Sequence, residues 1–420
     1  MRIGPAVAAI VVALSLSACV RQNDAPEAEG GWVGTITTDG NVTTVVNESG
    51  SVWGGAARLV EEASIGVETG ADEYMFGFIN SMYANDDRIV VLDEHTNIVR
   101  MYDHEGRFLF NVGGEGQGPG EYTDAIIVTM TPEGRTYVFD VGNRRLTEYT
   151  RDGDYSNSWP FPDFGCCAWG MHWQPQGLLS MPVQELDRET RERRYGIQLF
   201  SPEADDVVSD PRWVPDFEFE ETTYNADGDR FPTPFSPRVV WQPTPAGGIV
   251  AGATDRYSFE VLGPADGRTV IERVVEPVPI DPAEREWQRR LTVVMWRRSL
   301  ESFNWDGAEM PPHRPAFSWF APAVSGEIWV SREVGSERVA DCLQDPLEDY
   351  AGETSIRQCY RRVLTFDVFG KDGRYLGEVD LPEPRPSLMY VNGRTVLGYV
   401  EDEAGTIIVK RYRLALPGEQ

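Results

Sequence analysis

Basic residues are scarce in this chain. Lys and Arg total 38 against 67 Asp and Glu, a formal net charge of −29 over 420 residues. Such a surface repels nucleic acid and anionic headgroups at long range, which argues against a nucleic-acid partner and against peripheral lipid binding. The acidity fits habitat or solubility, with cation binding as the alternative. Histidine is scarcer still. His95, His104, His172 and His313 are the only four, and no His-x-His or His-Glu-x-x-His spacing joins them. A local metal motif is therefore missing. His95 and His104 read as exposed turn residues, whereas His172 and His313 lie in loop-like stretches able to face a channel. Gly-x-Ser-x-Gly is absent, which removes the nucleophile elbow of serine hydrolases. Long apolar runs are missing too. The stretch from Ala6 to Leu16 is much shorter than the roughly 20 residues a spanning helix needs.

That short stretch follows Arg2 and ends in Leu16-Ser17-Ala18-Cys19. A basic residue, an apolar segment and small residues in this order make a secretory signal. The string resembles the lipobox of bacterial lipoproteins. The resemblance implies that Cys19 becomes the mature N-terminus and carries a lipid anchor, palmitate included. It places the folded part in the cell envelope, held to the membrane through the lipid only. Val20, where an aspartate favours inner-membrane retention, implies the outer membrane if the source is Gram-negative. The expected layout is a signal peptide over 1–18, a flexible tether over 19–35 and a folded body over 36–416.

Four further cysteines, Cys166, Cys167, Cys342 and Cys359, make an even number in an exported chain and favour disulfides. Cys342 with Cys359 is the first pairing to expect, because both lie in one excursion between two strands. The adjacent Cys166 and Cys167 leave a vicinal disulfide, free thiols or other partners open. No C-x-x-C spacing points to metal or redox chemistry.

The chain repeats. Arg88-Ile89-Val90-Val91-Leu92-Asp93, then Ile98 to Tyr102 and a turn at Gly106, recurs as Arg135-Thr136-Tyr137-Val138-Phe139-Asp140, then Arg145 to Tyr149 and a turn at Gly153. Asp93 to Asp140 and Gly106 to Gly153 are each 47 residues apart. Apolar and β-branched residues fill the strands, with Asp, Asn and Gly between them. Weaker copies pair Leu178–Met181 with Tyr195–Phe200, Gly248–Ala251 with Ser258–Leu262, Gly326–Val330 with Leu364–Phe369 and Thr395–Val400 with Thr406–Tyr412. Six hairpins in units of this length predict an all-β fold, a six-bladed β-propeller with an inserted helix and long loops between later blades. Ring closure predicts that a strand from one chain end completes a blade begun at the other, and Asn41 to Val46 is a good early strand.

Two insertions interrupt the pattern, at about 205–238 and 280–320. The first reads as a surface loop, and its Asp227-Gly228-Asp229 as a solvated turn lacking the rest of an EF-hand. In the second, Asp281 as N-cap, Pro282 at N1 and Glu284 at N3 predict a helix that ends near Leu300. Its stripe of Trp287, Leu291, Val294 and Met295 is expected to pack on the propeller.

Between the first two units runs Gly113-Gly114-Glu115-Gly116-Gln117-Gly118-Pro119-Gly120-Glu121-Tyr122. With Asp93, Tyr102, Gly106, Asp140, Asn143, Arg145 and Gly153 around it, this stretch resembles NHL-like six-bladed β-propeller proteins of bacteria. Pro315-Ala316-Phe317, Tyr375-Leu376-Gly377 and Val409 to Leu414 are similar to that group as well. The glycine run lacks a dinucleotide or P-loop register and reads as an inter-blade crossing. The resemblance implies a ligand at the mouth of a central channel. It also admits two kinds of function. One is a binding scaffold for an envelope protein, peptide or glycan. The other is a metal-dependent lactonase-, hydrolase- or lyase-type enzyme. The residues carry no convergent catalytic set and predict no cofactor, leaving a divalent cation such as calcium open. Arg285, Arg289, Arg290, Arg297 and Arg298 form a basic island in an acidic chain. Arg289, Arg290, His313 and Arg314 are the candidate anion-binding residues, with salt bridging to the acidic surface as the alternative.

Overall fold

The computed structural model describes residues 31–419, apart from 161–169, 175, 188–192, 265, 341, 343–344 and 350–357. The signal, the start of the tether, Cys19, Cys166 and Cys167 lie outside the described residues.

Six antiparallel blades follow one another. Blade 1 holds Ile79–Ala84, Arg88–Asp93, Ile98–Asp103 and Phe108–Asn111. Blade 2 holds Ala125–Met130, Thr136–Asp140, Arg145–Tyr149 and Tyr155–Pro160. Blade 3 begins with His172–Gln174, Leu178–Leu186 and Arg193–Ser201, and two short strands finish it. Blade 4 holds Val239–Pro243, Ile249–Ala253, Ser258–Leu262 and Arg268–Arg273. Blade 5 holds Trp319–Pro322, Ile328–Arg338, Tyr360–Phe369 and Tyr375–Asp380. Blade 6 holds Ser387–Asn392, Thr395–Glu401 and Ile407–Ala415. The six predicted hairpins are the second and third strands of these blades. They were legible because both faces are covered by neighbouring blades, so the second strands of blades 1, 2 and 4 are buried almost throughout.

The ring closes as expected in kind, with a different strand. Three N-terminal strands precede blade 1: β1 (Val33–Asp39), β2 (Val42–Ser49) and β3 (Ala57–Ile65). It is β3 that pairs antiparallel with Ile407–Ala415 and becomes the fourth strand of blade 6. The stretch 41–46, expected to serve there, instead lies in β2, which runs parallel to Arg268–Arg273 and extends blade 4, with β1 beyond it. Both segments alternate like strands, and only the pairing partner separates them.

The repeated glycines have a packing reason. Gly106 has φ +83°, and a Cβ there would sit 2.9 Å from Ile65 of the preceding blade. Gly153 has φ +86°, and its Cβ would lie 2.7 Å from Phe110. Each marks the turn after a third strand, where backbone meets the outer strand of the blade before. Asp93 and Asp140 are fully buried and accept backbone N–H groups of the segment that enters their own blade, Phe78 at 3.0 Å and Asp124 at 2.9 Å. The glycine run is an inter-blade crossing: Asn143 donates to the Gly116 carbonyl at 2.9 Å and Arg145 to that of Gly118 at 2.6 Å.

Alternating strand direction sorts the connections onto two faces. Links from first to second and, outside blade 6, from third to fourth strands share one face. Links from second to third strands, and from blade to blade, share the other. Every long insertion belongs to the second set. The segment 205–238, expected as a loop, contains a hairpin of Thr223–Ala226 and Asp229–Pro232. Asp227 and Gly228 turn it with positive φ, a two-residue hairpin turn. Helix α1 (Pro282–Arg297) starts at Asp281, whose side chain accepts from the Ala283 N–H at 2.8 Å. Its apolar side does not simply lie on the blades. Trp287 and Leu291 pack with Cys342, Cys359 and Tyr360. Val293 and Trp296 pack with Tyr224, Phe231, Phe303 and Trp305 of the hairpin and the segment after the helix. Met295, expected inside, is 47% exposed. A second stripe, Val293 and Trp296 with Leu300, explains the difference, since the two insertions bury each other. Cys342 and Cys359 form the expected disulfide. No helix among the described residues is long and apolar enough to cross a membrane.

Candidate functional site

The first strands of all six blades surround a central cavity of about 540 Å³. Blade 1 contributes Asn80 to Tyr83 with Glu94; blade 2 contributes Ile126 to Val128; blade 3 contributes Gly170 to His172. Blade 4 contributes Gln242, blade 5 Trp319 to Pro322 with Val324, and blade 6 Leu388 to Val391. Most of these residues open their first strands, so the cavity lies towards the face that carries the insertions.

Three of these strands are bulged near their starts. The ladder skips Asn80 in blade 1, Ile126 in blade 2 and Met389 in blade 6. A bulge re-aims the extra residue, and all three skipped residues line the cavity. Asn80 Nδ2 donates to the Ile126 carbonyl at 2.9 Å, which joins two bulges and leaves Asn80 Oδ1 as an acceptor. Ser81 Oγ donates to the Val128 carbonyl and accepts from the Val128 N–H, both at 3.2 Å. Tyr83 and Tyr390 meet with ring centroids 4.6 Å apart, and the Tyr390 hydroxyl donates to the Ala84 carbonyl at 2.7 Å. Burial pushes the Tyr83 phenol up to about 12 and raises Tyr390 further, so both stay protonated.

His172 is the one histidine at the cavity among the described residues. Its ring is sunk among protein atoms, and burial lowers its pKa to about 4, against a smaller opposing effect of the Pro243 carbonyl. It is neutral at physiological pH. Glu94 is exposed in the turn after Asp93 and is the only Asp, Glu, Lys or Arg on the wall among the described residues. Methionines (Met82, Met171, Met389) and aromatic rings (Tyr83, Trp319, Phe320, Tyr390) make much of the rest. Among the described residues, no group of three or more His, Cys, Asp or Glu is placed to hold a metal ion.

The candidate anion-binding residues are spread around α1. Arg289 Nη2 meets Glu286 at 2.6 Å, and Arg290 meets Glu286 at 2.8 Å and also pairs with Asp345. These contacts, led by the Arg289 hydrogen bond, hold the Glu286 carboxyl at about 2. Arg289 also borders a shallow groove with Arg285 and Trp305. His313 is exposed and bridged through its backbone to Pro279. Arg314 is buried, with Glu284 at 2.5 Å and Glu333 at 2.9 Å. The structure thus brings Arg289 and Arg290 onto one shared carboxylate and turns Arg314 to the inner side of the helix. None of the four lines the cavity. Sequence reasoning missed Asn80, Ile126 and Met389 because a bulge is a property of two strands.

Six blades around one shared cavity define the class: the chain is a six-bladed β-propeller with an elaborated face. Residues 39–199 match the sequence model of a family, DUF5128, described as a six-bladed β-propeller. No curated protein matches the chain. Among solved structures, a member of the DUF4221 family from Bacteroides vulgatus is 10% identical over 86% of this chain and 99% of its own, with a TM-score of 0.50. A protein described as exported, from Bacteroides fragilis, is 10% identical over 89% of this chain and 99% of its own, with a TM-score of 0.46. Virginiamycin B lyase from Staphylococcus aureus is 7% identical over 83% and 97%, with a TM-score of 0.37. At such identities the likeness is one of fold alone.

Proposed function

We propose that this chain is a lipid-anchored, extracytoplasmic binding propeller. It holds an envelope protein, peptide or glycan at the insertion-bearing face, with one group of that ligand entering the central cavity. The observation that carries this reading is the cavity of about 540 Å³ to which all six blades contribute. It has the size and the mainly apolar wall, with a few polar groups, of a ligand site. The bulges at Asn80, Ile126 and Met389 support it, because three neighbouring blades spend a ladder position on the same wall. Export is supported by the Leu16-Ser17-Ala18-Cys19 string and by the Cys342–Cys359 disulfide, since such bonds persist in oxidising compartments.

A photo-crosslinking residue at Met389 in the full-length anchored protein tests the reading in the native envelope. A matched residue at Leu109, exposed on the outer strand of blade 1, serves as control. Adducts at Met389 and none at Leu109 are expected. Adducts at Leu109 alone would move binding off the cavity. Loss of membrane association on Cys19→Ala is the corresponding test of the anchor.

A further inference from the structure

Resting on that reading, we infer that the group entering the cavity is an organic cation: an ammonium on an apolar stem. Four features of the wall converge on this class. First, among the described residues the wall carries one formal charge, the carboxylate of Glu94, and neither Lys nor Arg. Second, the wall offers an acceptor on the same blade as Glu94. Asn80 spends one of its two N–H groups on the Ile126 carbonyl, and its Oδ1 remains to accept. Third, the exposed indole of Trp319 and thioether of Met389 supply a polarizable lining. Such a lining accepts an alkyl or aryl stem and attracts a cation through the ring quadrupole. Fourth, a chain of net charge −29 concentrates cations at its surface and repels anions. His172 does not oppose this, because burial keeps its ring neutral.

An anion would meet Glu94 with no basic residue among the described wall residues to offset it. A neutral apolar group would gain nothing from Glu94 or from Asn80 Oδ1. An ammonium satisfies both while its stem covers the apolar wall. Because Glu94 sits in the turn between second and third strands, the charged end lies at the insertion-bearing mouth and the stem points inward. A free amine and a lysine side chain of an envelope peptide present the same chemistry.

Three probes of one shape test the inference by titration calorimetry on the full chain in detergent: 4-phenylbutylamine, 4-phenylbutanol and 4-phenylbutyrate. The amine should bind at least tenfold more tightly than the alcohol, and the carboxylate should be weakest. Glu94→Gln should remove that preference and leave the alcohol unchanged, which also shows that the variant is folded. An acetylated Lys-containing tripeptide against its norleucine analogue separates the two sources. Preference for the Lys peptide over the free amine names a peptide, and the reverse names a free amine. Equal binding of amine, alcohol and carboxylate, or an amine preference that survives Glu94→Gln, overturns the inference. Absence of amine binding overturns it as well. In each case adducts at Met389 would leave the cavity reading standing, whereas their absence would remove that reading too.

Discussion

The Tyr375 backbone N–H donates to Asn47 Oδ1 at 2.7 Å across a separation of 328 residues. Asn47 Oδ1 also accepts from Trp32 Nε1 at 2.8 Å, and its Nδ2 donates to the carbonyls of Glu272 at 3.0 Å and Gly373 at 3.1 Å. One buried amide thereby joins the N-terminal hairpin, the outer strand of blade 4 and a turn of blade 5. Below it, Asp367 accepts from Tyr257 at 2.6 Å and Arg332 at 3.1 Å, which locks the same two blades. Asn47→Ala leaves several buried polar groups without partners, each worth about 1–3 kcal/mol. Chemical denaturation should show a loss of about 3 kcal/mol. A loss below about 1 kcal/mol would mean that the hairpin contributes little to closing the ring.

Arg314 sits between two carboxylates, with its side chain 1% exposed. Removing one member of a buried ionic group strands the others, at a cost of about 3–5 kcal/mol. Arg314→Met should cost that much, and Glu284→Gln in the same chain should recover part of it. Arg289→Ala, on the exposed side of α1, should change stability by less than about 0.5 kcal/mol. Thermal unfolding of the four proteins separates a structural Arg314 from one kept for a ligand.

His172 makes stability pH-dependent. Its folded pKa of about 4 lies below the unfolded value of 6.5, so between those values the unfolded chain binds the extra proton. Its contribution is complete above pH 6.5 and is lost as pH falls towards 4. The residue is half-buried, which lessens the cost, and we expect about 1–2 kcal/mol. His172→Gln should be less sensitive than the native chain between pH 6.5 and 4.5, by denaturation at matched ionic strength. Equal slopes would show a ring that protonates freely in the fold.

Gly153→Ala places a Cβ on a residue with φ +86°, 2.7 Å from Phe110. The backbone cost is about 1 kcal/mol or more, and the overlap adds to it. A loss of about 2 kcal/mol is expected, and Phe110→Leu alongside should relieve part of it. No relief would assign the whole effect to the backbone.

The blade hairpins could be read from residue types alone. Val90, Val91 and Leu92, or Tyr137, Val138 and Phe139, are buried on both faces, so their apolar runs survive any change of partner. Asp93 and Asp140 were equally visible, since each serves the backbone of its own blade. The Cys342–Cys359 pair closes a separation of only 17 residues and was legible for the same reason. Local chemistry was enough wherever a residue answers to its sequence neighbours.

Other features answer to distant parts of the chain. Whether β2 or β3 closes blade 6 depends on which edge each meets, and both alternate like strands. The stripes of α1 could not name the Tyr224 hairpin or the disulfide segment as their cover. The cavity wall depended most on the assembled ring. A bulge exists only between two paired strands, and six of these walls meet only when the ring is closed. Composition and periodicity settle blade count and strand content, because burial acts residue by residue. The site arises from registers and directions that no single segment encodes.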